Sequence, residues 1–179
     1  MISAIILAAG AGSRFGDNTP KQFAKLAGLP ILVHTLKVFH GTGNVDEIVI
    51  VSNKDKVPLI WEYVSQFRLG KVTKVVAGGK TRQESSRIGL DCCSERTKYV
   101  LIHDAVRPFI SQRIIDDLIE AVRKYKAVDT VIPSADTIVE IDQRNFICKI
   151  PNRLFLRRGQ TPQAFEYQLI KQAHERAIR

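Results

Sequence analysis

The amino-terminal loop of this sequence combines small residues with two cations. A run of ten residues, Leu7-Ala8-Ala9-Gly10-Ala11-Gly12-Ser13-Arg14-Phe15-Gly16, follows an apolar segment, and Lys21 comes soon after it. Small side chains let a ligand approach the backbone, and the exposed N–H groups of such a turn form a nest for anions. Arg14 would hold phosphate oxygens in a bidentate manner, and Lys21 would act as a mobile point charge. The segment predicts a triphosphate site, although a plain strand-to-helix turn would also be glycine-rich.

Two familiar nucleotide motifs do not fit this chain. A dinucleotide-binding loop needs G-x-G-x-x-G, but Phe15 stands where the third glycine belongs, and the next predicted strand ends in Ser52-Asn53 without an acidic residue. The run Gly78-Gly79-Lys80-Thr81-Arg82 resembles the tail of a P-loop, but the position of its first glycine is Lys74. What remains is a second glycine turn before a helix, whose N–H groups and the Ser85 or Ser86 hydroxyl could hold a ribose or a base.

An acidic residue follows the apolar strand predicted over residues 98–103. Asp104 lies within His103-Asp104-Ala105-Val106-Arg107-Pro108, and a carboxylate at the end of a parallel strand is well placed to hold Mg²⁺ against phosphate oxygens. Arg107 would then be close enough to bind a second phosphate. The alternative for Asp104 is a helix N-cap.

These loops are predicted to be positioned by a mostly parallel sheet. Short β-branched runs alternate with segments of helical period, which is typical of an α/β fold with helices on both faces. The predicted strands cover residues 3–8, 47–51, 71–76, 98–103 and 129–132, and the predicted helices cover residues 30–39, 58–67, 81–92, 112–125 and 166–177. Residues 137–140 and 146–150 read as the arms of a hairpin that protrudes from the sheet. Such sheets bind ligands at the carboxyl ends of their strands.

Composition limits the class of protein. The chain has 179 residues, 45% hydrophobic and 25% charged, which favours one globular domain and argues against disorder. The longest uncharged stretch, residues 1–13, is too short to span a bilayer, and no basic residue precedes it as a signal peptide would require. Three cysteines without pairing or metal-ligand spacing favour reduced thiols in the cytoplasm.

The basic charge admits nucleic acid, an anionic surface or small phosphorylated ligands as partners, and a solvated face is the alternative. Lys and Arg number 27 against 18 Asp and Glu, a formal net charge of +9. The sequence has no run of five basic residues, and its aromatic residues do not interleave with cations as a nucleic-acid platform requires. We therefore expect no nucleic-acid and no membrane partner.

Six ordered motifs, LAAGAGSRFG, PKQF, GGKTRQESS, HDAVRPF, DTIVE and QTPQAF, resemble those of the methylerythritol-phosphate and ribitol-phosphate cytidylyltransferase family. The resemblance covers nearly the whole chain and implies a Rossmann-like nucleotidyltransferase sheet over residues 1–179. It also implies transfer of CMP from CTP to a small polyol phosphate, with Mg²⁺ or another divalent cation. Residues 135–153 would form the arm of a homodimer.

The resemblance assigns roles residue by residue. Arg14, Lys21 and Asp104 would be catalytic, with Asp104 holding the metal. The CTP-binding residues would be Ala8, Ala9, Gly10, Gly12, Gly79, Lys80 and Ser85. The acceptor would be bound by Arg107, Thr137, Arg153 and Thr161, of which Thr137 and Arg153 would act in the neighbouring subunit.

Elementary chemistry agrees with this assignment. A phosphate monoester is largely dianionic at neutral pH, so it attacks without a general base, and the sequence contains no convincing Ser-His-Asp or Cys-His set. Catalysis would then consist of aligning two polyanions and neutralising the charge that develops on the leaving pyrophosphate.

The acceptor and the extent of the chain leave alternatives open. The methylerythritol branch usually has lysine where Val139 stands, and residues 127–132, 150–153 and 158–163 look more like the ribitol-phosphate branch. Ribitol 5-phosphate or a related alditol phosphate is therefore favoured, with 2-C-methyl-D-erythritol 4-phosphate as the alternative. The family continues beyond the last predicted helix with an acidic segment and a substrate-binding lysine, and this sequence ends at Arg179. A non-catalytic nucleotide-binding or dimerisation module is therefore the second hypothesis.

Overall fold

The computed structural model describes residues 1–10 and 20–177. Its strands, in chain order, are β1 (Ile2–Ala8), β2 (Lys25–Leu26), β3 (Leu29–Pro30), β4 (Glu47–Ser52), β5 (Val72–Ala77), β6 (Tyr99–Asp104), β7 (Ala127–Pro133), β8 (Glu140–Ile141), β9 (Ile147–Lys149) and β10 (Arg157–Glu166). Its α-helices are α1 (Ile31–Gly41), α2 (Val57–Gln66), α3 (Arg82–Asp91), α4 (Gln112–Tyr125) and α5 (Tyr167–Arg176).

Six of the strands form one sheet in the order β5-β4-β1-β6-β10-β7. The first four are parallel, and β10 runs antiparallel to both of its neighbours. The register pairs Leu7 of β1 with Asp104 of β6, and Ala8 with Ser52 of β4. The loops that follow these strands therefore open at one edge of the sheet, as the sequence predicted.

Helices cover both faces of the sheet, which explains why its central strands read as apolar throughout. Successive side chains of a strand point to opposite faces. Ile6 accordingly belongs to the core beneath α1, α2 and α4, whereas Ile5 belongs to the core shared with α3 and α5. The predicted mostly parallel α/β sheet is confirmed.

Helix α4 matches its predicted boundaries because its sequence signals agree. Ile115, Leu118, Ile119 and Val122 are buried on one stripe. The hydroxyl of Ser111 caps the first turn by accepting a hydrogen bond from the backbone N–H of Ile114 at 3.4 Å. This helix packs against β7 and β10 and supports the half of the sheet that carries Asp104.

The sequence pattern did not predict the two-residue strands β2 and β3, nor one strand of the central sheet. Residues 157–166 form β10 between β6 and β7, whereas the pattern predicted no strand there and placed the start of the last helix at residue 166. Polar Gln160 and Gln163 and the imino acid Pro162 interrupt the apolar alternation, and proline normally argues against an inner strand. The structure accommodates them with a bulge, since the register against β7 shifts between Gly159 and Gln163.

The predicted hairpin is present but shorter than expected. Strands β8 and β9 pair antiparallel, whereas residues 137–139, 146 and 150, which were predicted to belong to its arms, lie outside them. The turn is held by Asp142, whose carboxylate accepts hydrogen bonds from the N–H groups of Arg144 at 2.8 Å and Phe146 at 3.0 Å. Pro30, expected in the first turn of α1, lies just before it as the N-cap residue.

A bilayer-spanning helix is not found in residues 1–10 and 20–177, because no helix there combines the necessary length and apolar character.

Candidate active site

A cavity of about 550 Å³ opens at the carboxyl ends of β1 and β6, beside the turn that leads into α3. Eight of the residues predicted for the site line it, namely Ala8, Ala9, Gly10, Lys21, Gly79, Lys80, Ser85 and Asp104. The predicted residues Gly12 and Arg14 lie outside the described part of the chain. The cavity brings together three loops that are far apart in sequence.

The loop after β1 is fixed by a glutamine. The side-chain amide of Gln22 donates hydrogen bonds to the carbonyl oxygens of Ala8 at 2.7 Å and Gly10 at 3.2 Å. Gln22 is almost fully buried in a short 3-10 helix over residues 21–23. That helix also brings Lys21 to the cavity wall. Because Gln22 binds both carbonyls, residues 8–10 present a defined backbone to a ligand.

The second glycine turn packs directly against the first loop. A Cβ atom on Gly78 would lie 2.7 Å from the Cβ of Ala9 and 2.8 Å from the hydroxyl oxygen of Ser85, so only glycine fits. The Ser85 hydroxyl accepts a hydrogen bond from the N–H of Gly79 at 3.1 Å. Ser85 thus holds the turn in shape from within.

The start of α3 is capped on both sides. Thr81 accepts a hydrogen bond from the N–H of Glu84 at 3.0 Å, and the Glu84 carboxylate accepts one from the N–H of Lys80 at 2.7 Å. The backbone N–H of Lys80 is therefore satisfied by protein. Lys80 lines the cavity, and its side chain contributes a positive charge to this part of the protein.

Asp104 lies between two arginines at the end of β6. One of its oxygens accepts hydrogen bonds from Arg82 at 3.1 and 3.3 Å, and the other accepts one from Arg107 at 3.3 Å. Both guanidinium groups are well exposed, with side-chain exposures of 52% and 41%. Two guanidinium groups and one carboxylate together carry a net positive charge. This part of the site therefore suits a polyanion.

The bulge of β10 supports this segment from its other side. The side chain of Gln160 accepts a hydrogen bond from Arg107 at 2.6 Å. Thr161 is buried, and its hydroxyl accepts one from the N–H of Asp104 at 3.3 Å and contacts Nδ1 of His103 at 3.0 Å. Burial lowers the pKa of His103 to about 4, so the ring is neutral at physiological pH.

Two of the predicted acceptor-binding residues lie away from the cavity. Thr137 precedes β8 and is exposed, and Arg153 donates a hydrogen bond to the carbonyl of Ala135 at 3.4 Å beyond β9. The chain does not bring them to Asp104 within one subunit. Their proposed action in a neighbouring subunit stays a prediction.

The donor set fits a magnesium ion that is shared with substrate. In the described residues no three His, Cys, Asp or Glu side chains cluster as a metal site, and Asp104 is the acidic residue at the cavity. Mg²⁺ commonly uses one or two carboxylates together with phosphate oxygens and water, so a lone carboxylate beside cations is compatible with it. The partners of Asp104 are exposed arginines, which can turn towards phosphate instead.

Sequence reasoning missed four residues that shape the site, Gln22, Arg82, His103 and Gln160. Gln22 and Gln160 lie within the quoted motifs PKQF and QTPQAF, and Arg82 lies within GGKTRQESS, yet none was given a role. His103 ends an apolar run and reads as an ordinary core residue. The hydrogen-bond partners through which Gln22, Arg82 and Gln160 shape the site are 12 to 81 residues away, a separation that spacing alone does not link.

Comparison with known proteins gives consistent similarities. The family model described as IspD, 2-C-methyl-D-erythritol 4-phosphate cytidylyltransferase, matches residues 2–179. The bifunctional ribulose 5-phosphate reductase/CDP-ribitol pyrophosphorylase Bcs1 of Haemophilus influenzae is 43% identical over 175 residues, 96% of this chain and 37% of that protein. The 2-C-methyl-D-erythritol 4-phosphate cytidylyltransferase of Clostridium botulinum strain 657 is 40% identical over 174 residues, 97% of this chain and 76% of that protein.

A solved structure shows the same fold. The 4-diphosphocytidyl-2C-methyl-D-erythritol synthase from Anaerococcus prevotii superposes with a TM-score of 0.89 at 35% identity, covering 99% of this chain and 76% of that one. The chain therefore spans just over a third of the bifunctional relative and about three quarters of the other two proteins.

Proposed function

Because the chain belongs to the 2-C-methyl-D-erythritol 4-phosphate cytidylyltransferase family, a family of nucleotidyltransferases, we propose that it transfers CMP from CTP to a small polyol phosphate and releases pyrophosphate. The observation that carries this proposal is the cavity at the carboxyl ends of β1 and β6, whose wall contains Lys21, Lys80 and Arg82 together with the carboxylate residue Asp104. Clustered cations beside one carboxylate suit a triphosphate that arrives with a divalent metal.

In the proposed reaction, an oxygen of the acceptor's phosphate attacks the α-phosphorus of CTP. A new P–O bond forms, the bond to the bridging α–β oxygen breaks, and pyrophosphate leaves with the electron pair. The acceptor is already dianionic near pH 7, so no side chain needs to remove a proton. The protein's work is to align the two anions and to stabilise the negative charge on the leaving group.

Each cation has a place in this scheme. Lys21 neutralises charge on the triphosphate, together with Arg14, which lies outside the described residues. The loops of residues 8–10 and 78–80 offer the surfaces for the nucleotide, and Arg107 binds the phosphate of the acceptor. A divalent ion held by Asp104 would supply further positive charge at the phosphate oxygens.

For the acceptor we favour ribitol 5-phosphate or a related alditol phosphate. The sequence has Val139 after Asp136-Thr137-Ile138, and the CDP-ribitol pyrophosphorylase is 43% identical to it. The second candidate is 2-C-methyl-D-erythritol 4-phosphate, favoured by the family model and by the fold match to the synthase from Anaerococcus prevotii.

The proposed assembly is a homodimer through residues 135–153, acting in the cytoplasm. Several large apolar side chains of this arm are more than half exposed, as expected of a surface that pairs with another chain. They are Ile141, Phe146, Ile147 and Ile150, with exposures between 54% and 67%. Thr137 and Arg153 would then reach the partner's cavity.

The test is Mg²⁺-dependent release of pyrophosphate from CTP, measured separately with ribitol 5-phosphate and with 2-C-methyl-D-erythritol 4-phosphate. We expect release with one acceptor and a loss of roughly 10²-fold or more in Asp104→Ala, because the charge that orients the metal and phosphates is removed. Release with both acceptors at equal efficiency would support the proposed cytidylyltransferase activity and contradict the preference for ribitol 5-phosphate.

The matched control is Asp117→Ala. Asp117 is an exposed carboxylate on α4 that is also paired with an arginine, Arg113, at 3.2 Å. Its loss should leave pyrophosphate release unchanged. If neither acceptor supports release by the unmodified protein, or if the two variants lose activity equally, the proposed function is wrong.

A further inference from the structure

His103 is enclosed at the end of β6, immediately before Asp104. Its side chain has no exposure to solvent, and its ring packs against Phe39 of α1 with the ring centroids 5.0 Å apart. A buried imidazole needs a partner for each nitrogen, and the two partners here are the Thr161 hydroxyl of β10 and the carbonyl of Arg107 after β6.

The direction of each hydrogen bond follows from the chemistry of the partners. Nε2 lies 3.2 Å from the carbonyl oxygen of Arg107, which can only accept, so Nε2 carries the hydrogen. In the neutral ring Nδ1 must then accept, and the Thr161 hydroxyl donates to it at 3.0 Å. The Thr161 oxygen in turn accepts from the N–H of Asp104 at 3.3 Å. The result is one directed chain from Asp104 through Thr161 and His103 to Arg107.

This chain fixes both ends of the segment 104–107. The backbone of Asp104 is held through Thr161, and the backbone of Arg107 is held by the ring itself. The guanidinium group of Arg107 is held by Gln160, the neighbour of Thr161 in the bulge of β10. The bulge therefore sets the backbone and the side chain of Arg107 at once.

We propose that His103 is a positioning residue, which through Thr161 and the carbonyl of Arg107 holds the segment 104–107 so that Arg107 meets the phosphate of the acceptor. The inference rests on the proposed function, in which Arg107 binds that phosphate. It gives Thr161 a supporting role towards Asp104, since the hydrogen of its hydroxyl is already donated to His103.

The kinetic test removes the hydrogen bonds of the ring one at a time. His103→Asn keeps an acceptor near the position of Nδ1, and His103→Gln keeps a donor near the position of Nε2. Thr161→Val removes the hydroxyl with little change of shape, and Thr161→Ser restores it. We expect Thr161→Val and both His103 variants to raise the KM for the polyol phosphate roughly five- to tenfold, with the KM for CTP unchanged and Thr161→Ser near the unmodified protein.

The matched control is Thr97→Val. Thr97 is also buried, with an exposure of 6% against 8% for Thr161, and its hydroxyl bonds Ser3 at 2.7 Å just before the other end of β6. Thr97→Val should lower the free energy of unfolding as Thr161→Val does, without changing the KM for the polyol phosphate or the KM for CTP. If Thr161→Val raises both KM values together, or changes neither, positioning is refuted.

A spectroscopic test does not depend on activity. The ¹⁵N shifts of the His103 imidazole, recorded without substrate, should show Nε2 protonated and Nδ1 unprotonated, with the Nδ1 signal displaced in Thr161→Val and unchanged in Thr97→Val. The opposite tautomer overturns the proposal. If the unmodified protein transfers CMP to neither acceptor, the proposed function fails, and the imidazole signals still decide whether His103 holds the segment.

Discussion

The two ends of the central sheet each carry a carboxylate, and the two are held in opposite ways. Glu47 starts β4, is 4% exposed and accepts hydrogen bonds from the hydroxyls of Ser3 and Thr73, each at 2.8 Å, and from the N–H of Ser94 at 3.1 Å. Asp104 ends β6, faces the cavity and pairs with arginines that are about half exposed.

The difference shows what each arrangement can do. Short neutral donors around a buried carboxylate satisfy it fully in a low-dielectric setting, so the network stabilises the fold and offers nothing to a ligand. Exposed guanidinium partners are screened by water and contribute little to stability. The same arginines can instead turn to the phosphates of a substrate, so the open end of the sheet can serve function.

Of the substitutions that test this difference, Glu47→Ala is expected to have the largest effect on the free energy of unfolding. The substitution leaves two hydroxyls and an N–H without their acceptor in the interior, which should lower the free energy of unfolding by about 3–5 kcal/mol. The melting temperature of a chain of this size would fall by roughly 10 °C. Thermal unfolding followed by circular dichroism measures both the fall in melting temperature and the cooperativity of unfolding.

Asp104→Ala is the counterpart at the other end of the sheet. Its arginine partners stay hydrated when the carboxylate is removed, so the free energy of unfolding should change by less than about 1 kcal/mol. Equal losses in the two variants would show that both carboxylates are structural, and the contrast between the ends would not hold.

A somewhat smaller effect is expected from pH, through His103. Its folded pKa of about 4 lies below the ordinary value of 6.5, so the unfolded chain binds a proton first as the pH falls. The stability that the neutral ring contributes is complete above pH 6.5 and is lost between pH 6.5 and 4, by about 3 kcal/mol in total.

Urea unfolding at pH 7, 6 and 5, without added metal, tests this contribution. His103→Gln should flatten the decline without abolishing it, because burial also lowers the pKa of His174 between α3 and α5. A variant that keeps the full decline would show that His103 is not the group whose protonation the fold resists.

Much of the fold could be predicted because its local signals agree. Strand β1 is apolar on both faces, and α4 has a cap, a stripe and a clear end, so their types and approximate limits follow from pattern alone. Strand β10 was missed, because Pro162 and two glutamines break the alternation and the bulge that accommodates them contacts His103 of β6 and Arg107 of the loop after β6.

The candidate site likewise contains residues that could be predicted from the sequence and residues that could not. Asp104 and the glycine turns could be predicted, since each follows an apolar strand and has a residue type with obvious chemistry. The partners Arg82, Gln22 and Gln160 could not, because their roles come from contacts that only the folded chain creates. Arg82 lies within the motif GGKTRQESS, but the motif gave it no role. Its contribution to the free energy of unfolding gives a further test of the contrast between the two ends of the sheet.

Arg82→Ala should change the free energy of unfolding by less than about 0.5 kcal/mol, although the arginine lies 3.1 Å from Asp104. A pair that is half exposed gains little Coulomb energy, and the long side chain loses conformational freedom when it is held in place. Urea unfolding at pH 7 with Arg113→Ala as the control, another exposed arginine paired at 3.2 Å, should give the same small change. A loss above about 1 kcal/mol in Arg82→Ala alone would mean that the open end is held together like the Glu47 end, and Arg82 would then be bound to the fold instead of being available to phosphate.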